Sequence, residues 1–153
     1  VAARGQSEEA AMLTERQIEL VQSSFRQVAP IAEQAAALFY ARLFETDPTA
    51  AKLFRNTDMA EQGRKLMAAI GIVVGSLRGM ERIMPTLTSL GAKHAGYGVT
   101  EAQYETVGAA LLWTLRQGLG EAFTEEVEAA WAAAYGAVAQ AMQAGARELA
   151  RAA

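Results

Sequence analysis

Apolar residues recur every three or four positions along most of the chain, which is the spacing of one face of an α-helix. No segment alternates apolar and polar residues as a half-buried strand would. The run from about residue 58 to residue 77 shows the helical spacing clearly, because one of its faces carries Gln62, Leu66, Ile70, Val73 and Leu77. The pattern therefore predicts an all-α protein.

Capping residues and helix breakers divide this pattern into about seven helices. Thr14 with Gln17, and Thr100 with Gln103, form capping boxes at two helix starts. Pro85 predicts the start of another helix, because proline is favoured at the first helical position. The predicted helices cover about 14–29, 30–46, 47–54, 58–77, 85–96, 100–118 and 124–149. Short helices between long ones favour a bent helical sandwich over a bundle of four similar helices.

The composition narrows the classes of function. The chain has 153 residues, which is enough for one domain with a sizeable core. A net charge of −3 without a basic patch argues against nucleic acid as a partner. The chain has no cysteine and one histidine, which excludes disulfides, thiolate chemistry and zinc sites built from Cys and His clusters.

The first residues of the chain differ from the rest. Residues 1–12 are small, polar or charged and lack the apolar core of a signal peptide. We expect them to form a flexible N-terminal extension, followed by one domain over residues 13–153. No apolar run approaches the length of a membrane span, so we expect a cytoplasmic protein that does not associate with membranes.

His94 is the first candidate for chemistry. It lies on the apolar face of its predicted helix, near the C-terminal end. From periodicity alone, a buried structural histidine and a neutral imidazole that binds a metal or haem are both open. A single histidine cannot complete a zinc site, but it can bind a haem iron, because the porphyrin supplies four further ligands.

Four polar residues on predicted helix faces are further candidates. Tyr40 and Gln62 point inward among apolar residues, where hydroxyl and amide groups need hydrogen-bond partners. They are either polar groups at the edge of the core or a pair of donors to a bound ligand. Tyr104 also lies on an inner face, and Glu148 can face inward on the last helix, although a solvated charge is the simpler interpretation there.

Five segments together resemble a known family. They are LFYARLF (38–44), KLFRN (52–56), QGRKLM (62–67), LGAKHAGYGV (90–99) and AWAAAYG (130–136). Over roughly residues 13–148 the chain is similar to bacterial single-domain globins and to the haem domain of flavohaemoglobins.

The spacings between single residues match that family as well. Phe54 follows Tyr40 by 14 positions, and His94 follows Gln62 by 32. Tyr104 follows His94 by 10 positions, and Glu148 follows Trp131 by 17. These are the family's spacings between its distal residues, its proximal histidine and its proximal tyrosine and glutamate.

The resemblance implies a globin fold around haem b, with His94 as the proximal iron ligand. Tyr40, Gln62 and Leu66 would form the distal side, where two donors would hold bound O2 and slow its release. His94, Tyr104 and Glu148 would form a proximal network, in which a carboxylate strengthens the imidazole and favours chemistry on bound O2 over reversible carriage. The residues expected to contact the haem are Phe44, Phe54, Lys65, Val99 and Val107.

The resemblance also leaves the function open between binding and catalysis. O2 binding is expected, with NO, CO and sulfide as other ligands. The alternatives are a nitric oxide dioxygenase, with peroxidase-like activity also open, and a gas sensor. The sequence has no second histidine for the distal position used by vertebrate oxygen carriers. It also ends without the FAD and NADH domains of flavohaemoglobins, so we expect an external electron donor or reductase.

Overall fold

Seven α-helices make up most of the residues that the computed structural model describes, 13–152. Within this range there is no β-strand, which confirms the all-α prediction. The predicted extension at 1–12 lies outside the described residues. The helices are α1 Glu15–Val28, α2 Ala32–Thr46, α3 Pro48–Ala51, α4 Met59–Gly75, α5 Met80–Gly96, α6 Glu101–Leu119 and α7 Glu125–Ala152.

The predicted caps begin their helices as expected. The Thr14 hydroxyl accepts from the Gln17 N–H, and the Gln17 side chain accepts in return from the Thr14 N–H, both at 3.0 Å. The Thr100 N–H donates to the Gln103 side chain at 2.9 Å, and Thr124 accepts from the N–H of Val127 at 3.2 Å. These bonds satisfy backbone donors that a helix start leaves unpaired.

The prediction that Pro85 begins a helix is wrong. Helix α5 begins at Met80, and Pro85 is its sixth residue. A proline near the start of a helix removes only one backbone hydrogen bond, here to the carbonyl of Glu81. The helix therefore continues through Pro85, and His94 lies on a longer helix than the sequence predicts.

The face of α2 also differs from the prediction. The helical spacing of the sequence predicts that Ala37 points inward with Tyr40 and Leu43, but Ala37 is exposed. Phe39 is buried in its place, at 5% exposure. The buried stripe therefore passes through Phe39, and this brings a second aromatic ring next to Tyr40.

Three groups of buried side chains hold the helices together. The largest surrounds Trp131 of α7, whose indole N–H donates to the Ser24 hydroxyl at 2.8 Å. The second contains Tyr40 and the third Leu87, which packs against α7. Among the helices of residues 13–152, none is both long enough and apolar enough to span a membrane.

Candidate functional site

Tyr40 and Gln62 meet in the interior, although they come from different helices. Tyr40 lies on α2 and is 7% exposed, and Gln62 lies on the first turn of α4. The Gln62 amide Nε2 donates to the Tyr40 hydroxyl oxygen at 3.1 Å. Because that oxygen accepts this bond, the tyrosine proton stays available for a third group.

Three aromatic rings lie close to the ring of Tyr40. Its centroid lies 5.0 Å from Phe39, 5.8 Å from Phe44 and 5.3 Å from Phe54. Leu66 of α4 and Val107 of α6 pack into the same group of residues. The structure therefore brings together all three predicted distal residues and three of the predicted haem contacts (Phe44, Phe54 and Val107).

Burial keeps the Tyr40 phenol neutral. Desolvation raises the pKa of Tyr40 above its ordinary value, and the hydrogen bond from Gln62 offsets part of that rise. A neutral phenol carries its proton at physiological pH. Tyr40 is therefore a hydrogen-bond donor that Gln62 holds in one orientation.

His94 stands near the C-terminal end of α5 and is partly buried. Its Nδ1 lies 2.8 Å from the backbone carbonyl oxygen of Leu90, one turn earlier in the same helix. A carbonyl oxygen only accepts, so Nδ1 carries the proton of the neutral ring. The lone pair of Nε2 is then available to a metal.

The turn after α5 is hydrogen-bonded to His94. Gly98 has a positive φ of 96°, and the Val99 N–H donates to the His94 carbonyl at 3.0 Å. Glycine favours that backbone conformation because it has no Cβ. The predicted haem contact Val99 is thereby fixed relative to His94.

The structure does not connect the predicted proximal residues by hydrogen bonds. The Tyr104 hydroxyl is buried and has no hydrogen-bond partner among residues 13–152. Burial raises its pKa. Glu148 is exposed on α7 and is hydrogen-bonded to neither Tyr104 nor His94.

The direction of α7 explains the position of Glu148. Gly91 of α5 lies against Met142 of α7, and Thr88 lies against Gly145, so the two helices run in opposite directions where they meet. Beyond Met142, each step forward along α7 therefore moves away from His94. Residue 148 falls beyond this contact, toward the start of α5.

Tyr135 is a residue that the sequence analysis missed. Its hydroxyl donates to the backbone carbonyl of Tyr104 at 2.6 Å, and burial raises its pKa. A Cβ at Gly108 would lie 2.8 Å from the Tyr135 ring, so the glycine makes room for it. The segment AWAAAYG contains Tyr135, but nothing in that segment predicts its hydrogen bond.

Lys65 remains at the edge of this region. Its ammonium group lies 3.9 Å from the Glu61 carboxylate, and both side chains are largely exposed. The predicted contact of Lys65 with a haem propionate stays a prediction.

Comparison with known proteins decides the family. The globin family model matches residues 37–142, a range that includes Tyr40, Gln62 and His94. The chain belongs to the globin family. As a globin it is a haem-binding and oxygen-binding protein.

Curated relatives of this globin include two flavohemoproteins. The one from Rhizobium meliloti is 31% identical over 130 residues, and the one from Bacillus subtilis is 27% identical over 132 residues. These alignments cover 84% and 85% of this chain but only 32% and 33% of the relatives. This globin therefore spans about a third of their length. A neuroglobin of Chaenocephalus aceratus is 30% identical over 146 residues, which are 87% of this chain and 92% of that protein.

Solved structures share the fold. A bacterial globin from Campylobacter jejuni superposes with a TM-score of 0.79 at 24% identity, over 90% of this chain and 99% of that one. A protein described as a hexacoordinated heme protein from an anhydrobiotic tardigrade gives the same TM-score at 19% identity, over 88% and 96%. Both confirm the globin architecture.

The residues of this globin fit a haem. The protonation of His94 leaves Nε2 for an iron, and the Tyr40 proton is free to meet a ligand. The buried Tyr104 hydroxyl has an unused hydrogen-bonding capacity. A buried polar group without a partner is costly, so such a group suits a site that receives a cofactor.

Proposed function

We propose that this globin holds haem b through His94, binds O2 on the opposite face, and uses that O2 to oxidise nitric oxide to nitrate. The observation that carries the proposal is the Tyr40–Gln62 hydrogen bond within the aromatic group. Similarity to flavohemoproteins supports it. The chain spans about a third of the length of those proteins, so their similarity alone does not assign it the oxidation of nitric oxide.

The haem would be held mainly by apolar contacts and one axial ligand. His94 would supply that ligand through Nε2, and Tyr104 would lie on the same side. The haem, when bound, supplies an iron that binds diatomic gases and exchanges single electrons. The apolar walls would come from Phe44, Phe54, Leu66, Val99 and Val107.

Tyr40 would hold bound O2 by donating a hydrogen bond from its hydroxyl group. Bound O2 carries partial negative charge, and a buried neutral phenol is a strong donor to it because water does not compete. Gln62 fixes the phenol before the ligand arrives, so little reorganisation is needed. Tight binding and slow release of O2 follow, and both favour reaction over delivery.

The same hydrogen bond would favour a pentacoordinate iron, because it holds the two distal side chains to each other. The sequence contains no second histidine to take the distal position. The Gln62 amide already donates to Tyr40, which orients it toward its neighbour. The distal side would thus be left to the gas.

Oxidation of nitric oxide needs an electron as well as O2. One NO, one O2 and one electron together give one nitrate ion. The electron would come from a donor outside the globin domain. The apolar residues around Tyr40 would admit both neutral gases while they exclude most water.

The test is NO consumption by haem-loaded protein in air-saturated buffer with a reductant, followed with an NO electrode. We expect repeated turnover, reduced by about tenfold in Tyr40→Phe, which loses a hydrogen bond to a charged ligand. Tyr97→Phe is the matched control, since Tyr97 is 71% exposed. Consumption of a single equivalent of NO would overturn the dioxygenase part and leave O2 binding.

A further inference from the structure

Helices α5 and α7 touch at two glycines. A Cβ built at Gly91 would overlap the backbone carbonyl of Met142, and a Cβ built at Gly145 would overlap that of Thr88. Both overlaps are far closer than the 3.0 Å below which real Cβ atoms essentially do not approach. We call this pair of overlaps, at Gly91–Met142 and Gly145–Thr88, the glycine contact.

The glycine contact is reciprocal. On each helix, the glycine comes three residues after the residue whose carbonyl the other glycine covers. Residues three apart lie on one face of a helix, so each helix presents one glycine and one carbonyl to its partner. Such close approach suits Cα–H···O=C contacts, which recur between packed helices.

Backbone cannot move aside as a flexible side chain can. At Gly63 and Gly108 an added Cβ would meet side chains, at 2.9 Å from Ala36 and 2.8 Å from Tyr135. At Gly91 and Gly145 it would meet backbone atoms, so one helix must shift as a whole. The glycine contact therefore fixes the distance between α5 and α7.

His94 lies one turn beyond this contact. It is three residues after Gly91, and its Nδ1 hydrogen bond goes to Leu90, the neighbour of Gly91. Any shift of α5 at Gly91 also moves the His94 imidazole, because the ring and its hydrogen-bond acceptor, the Leu90 carbonyl, lie on the same helix. The hydrogen bonds of His94 give it no separate tie to another helix among residues 13–152.

We infer that Gly91 and Gly145 are positioning residues, which set where His94 meets the haem iron by fixing α5 against α7. The inference rests on His94 being the iron ligand. A β-carbon at either glycine should move the helix, and with it the angle and length of the iron–histidine bond.

The experiment compares Gly91→Ala and Gly145→Ala with two glycine controls on the same helices. Gly96 of α5 and Gly136 of α7 have nothing within 4 Å of an added Cβ. We expect both test variants to shift the iron–histidine stretching band of the ferrous protein in resonance Raman spectra. We also expect hemin transfer to an acceptor protein to be on the order of tenfold faster, since overpacking strains the contact. Gly96→Ala and Gly136→Ala should match the wild type.

A purely structural role would give a different result. Val127→Ala removes buried volume at the other end of α7 and lowers stability without touching the glycine contact. If the glycine variants fold and their band is unchanged, or if Val127→Ala shifts the band equally, the inference is wrong. A wild-type protein without an iron–histidine band would instead refute His94 as the ligand.

A second measurement covers variants that do not fold. Amide hydrogen exchange of the full wild-type chain, as purified, reports on the contact directly. The backbone amides of segments 88–94 and 142–146 should be among the slowest to exchange, because the close packing at the glycine contact protects both helices from local opening. Exchange there as fast as at the ends of α5 would overturn the inference whether or not haem is bound.

Discussion

The two sides of the proposed haem site are built by different means. On the distal side, side chains fix each other: Tyr40 accepts from Gln62 and lies against Phe39, Phe44 and Phe54. On the proximal side, the hydrogen bond of His94 stays within its own helix. What fixes that helix is backbone packing at the glycine contact.

This difference separates two kinds of control over one cofactor. In the proposed site, distal substitutions would change the chemical groups that meet the bound gas and would leave the haem in place. Proximal substitutions would change the position of the proposed iron ligand His94, and so would affect the binding of every gas alike. Four predictions test this division, from the largest effect to the smallest.

Removing His94 should have the largest effect. His94→Ala deletes the only histidine of the chain, so no other imidazole can replace it. We expect loss of the normal ferric, ferrous and CO-bound absorption bands, and hemin loss faster by more than about tenfold. Added imidazole should restore the bands in part.

The neighbouring side chain provides the control. Lys93 is exposed, and Lys93→Ala should leave the spectra unchanged. Spectra of His94→Ala that match the wild type in all three states would show that the proximal side has been assigned to the wrong residue.

Tyr40→Phe tests the distal side alone. The loss of a hydrogen bond to a charged ligand should speed O2 dissociation by about 10- to 100-fold. Stopped-flow replacement of O2 by CO measures the rate. Tyr135→Phe is the proximal counterpart, because within residues 13–152 its hydroxyl bonds only to the backbone of Tyr104. If Tyr135→Phe changes the rate as much as Tyr40→Phe, the two sides are not separate.

The helix starts and much of the distal side were predictable from sequence, because both depend on local spacing. Capping residues such as Thr14 and Thr124 are read within three positions of a helix start. The apolar period that placed Gln62 and Leu66 on one face is a property of a single helix. The resemblance to the family placed Gln62 and Tyr40 on the same distal side, but the hydrogen bond between them is known only from the structure.

The proximal side was less predictable, because it depends on how two helices align. The spacing of Glu148 from Trp131 gives its place on α7 but not what it faces, and the antiparallel contact with α5 takes it away from His94. Gly91 and Gly145 are a second case. A glycine within a helical pattern indicates only a weaker helix, until the partner helix is known.

Two tyrosine substitutions should have opposite effects on the stability of the haem-free chain. Tyr40→Phe removes a hydrogen bond and should lower the free energy of unfolding by about 1 kcal/mol. Tyr104→Phe removes a buried hydroxyl that has no partner among residues 13–152, and should raise it by about 1 kcal/mol. Urea unfolding measures both. Equal losses would mean that Tyr104 is satisfied as Tyr40 is.

The smallest expected effect concerns Asp47, whose side chain connects the start of α3 to α6. Its carboxylate accepts from the Thr49 N–H at 3.1 Å and from the Gln103 amide at 3.3 Å, next to the turn after α5. The Thr49 hydroxyl, as the largest cause, and then the Gln103 side chain lower the pKa of Asp47. A carboxyl group whose pKa is lower in the folded state stabilises the fold above its unfolded pKa, and this stabilisation is lost as pH falls through the folded pKa.

Asp47→Asn should therefore unfold more easily than wild type at pH 7, and the difference in stability between the two proteins should shrink in acid. Gln103→Leu should reproduce only part of that pH dependence, because Thr49 still donates. A loss of stability in Asp47→Asn that is equal at pH 7 and in acid would show that the geometry of these hydrogen bonds, and not the charge of Asp47, stabilises the fold.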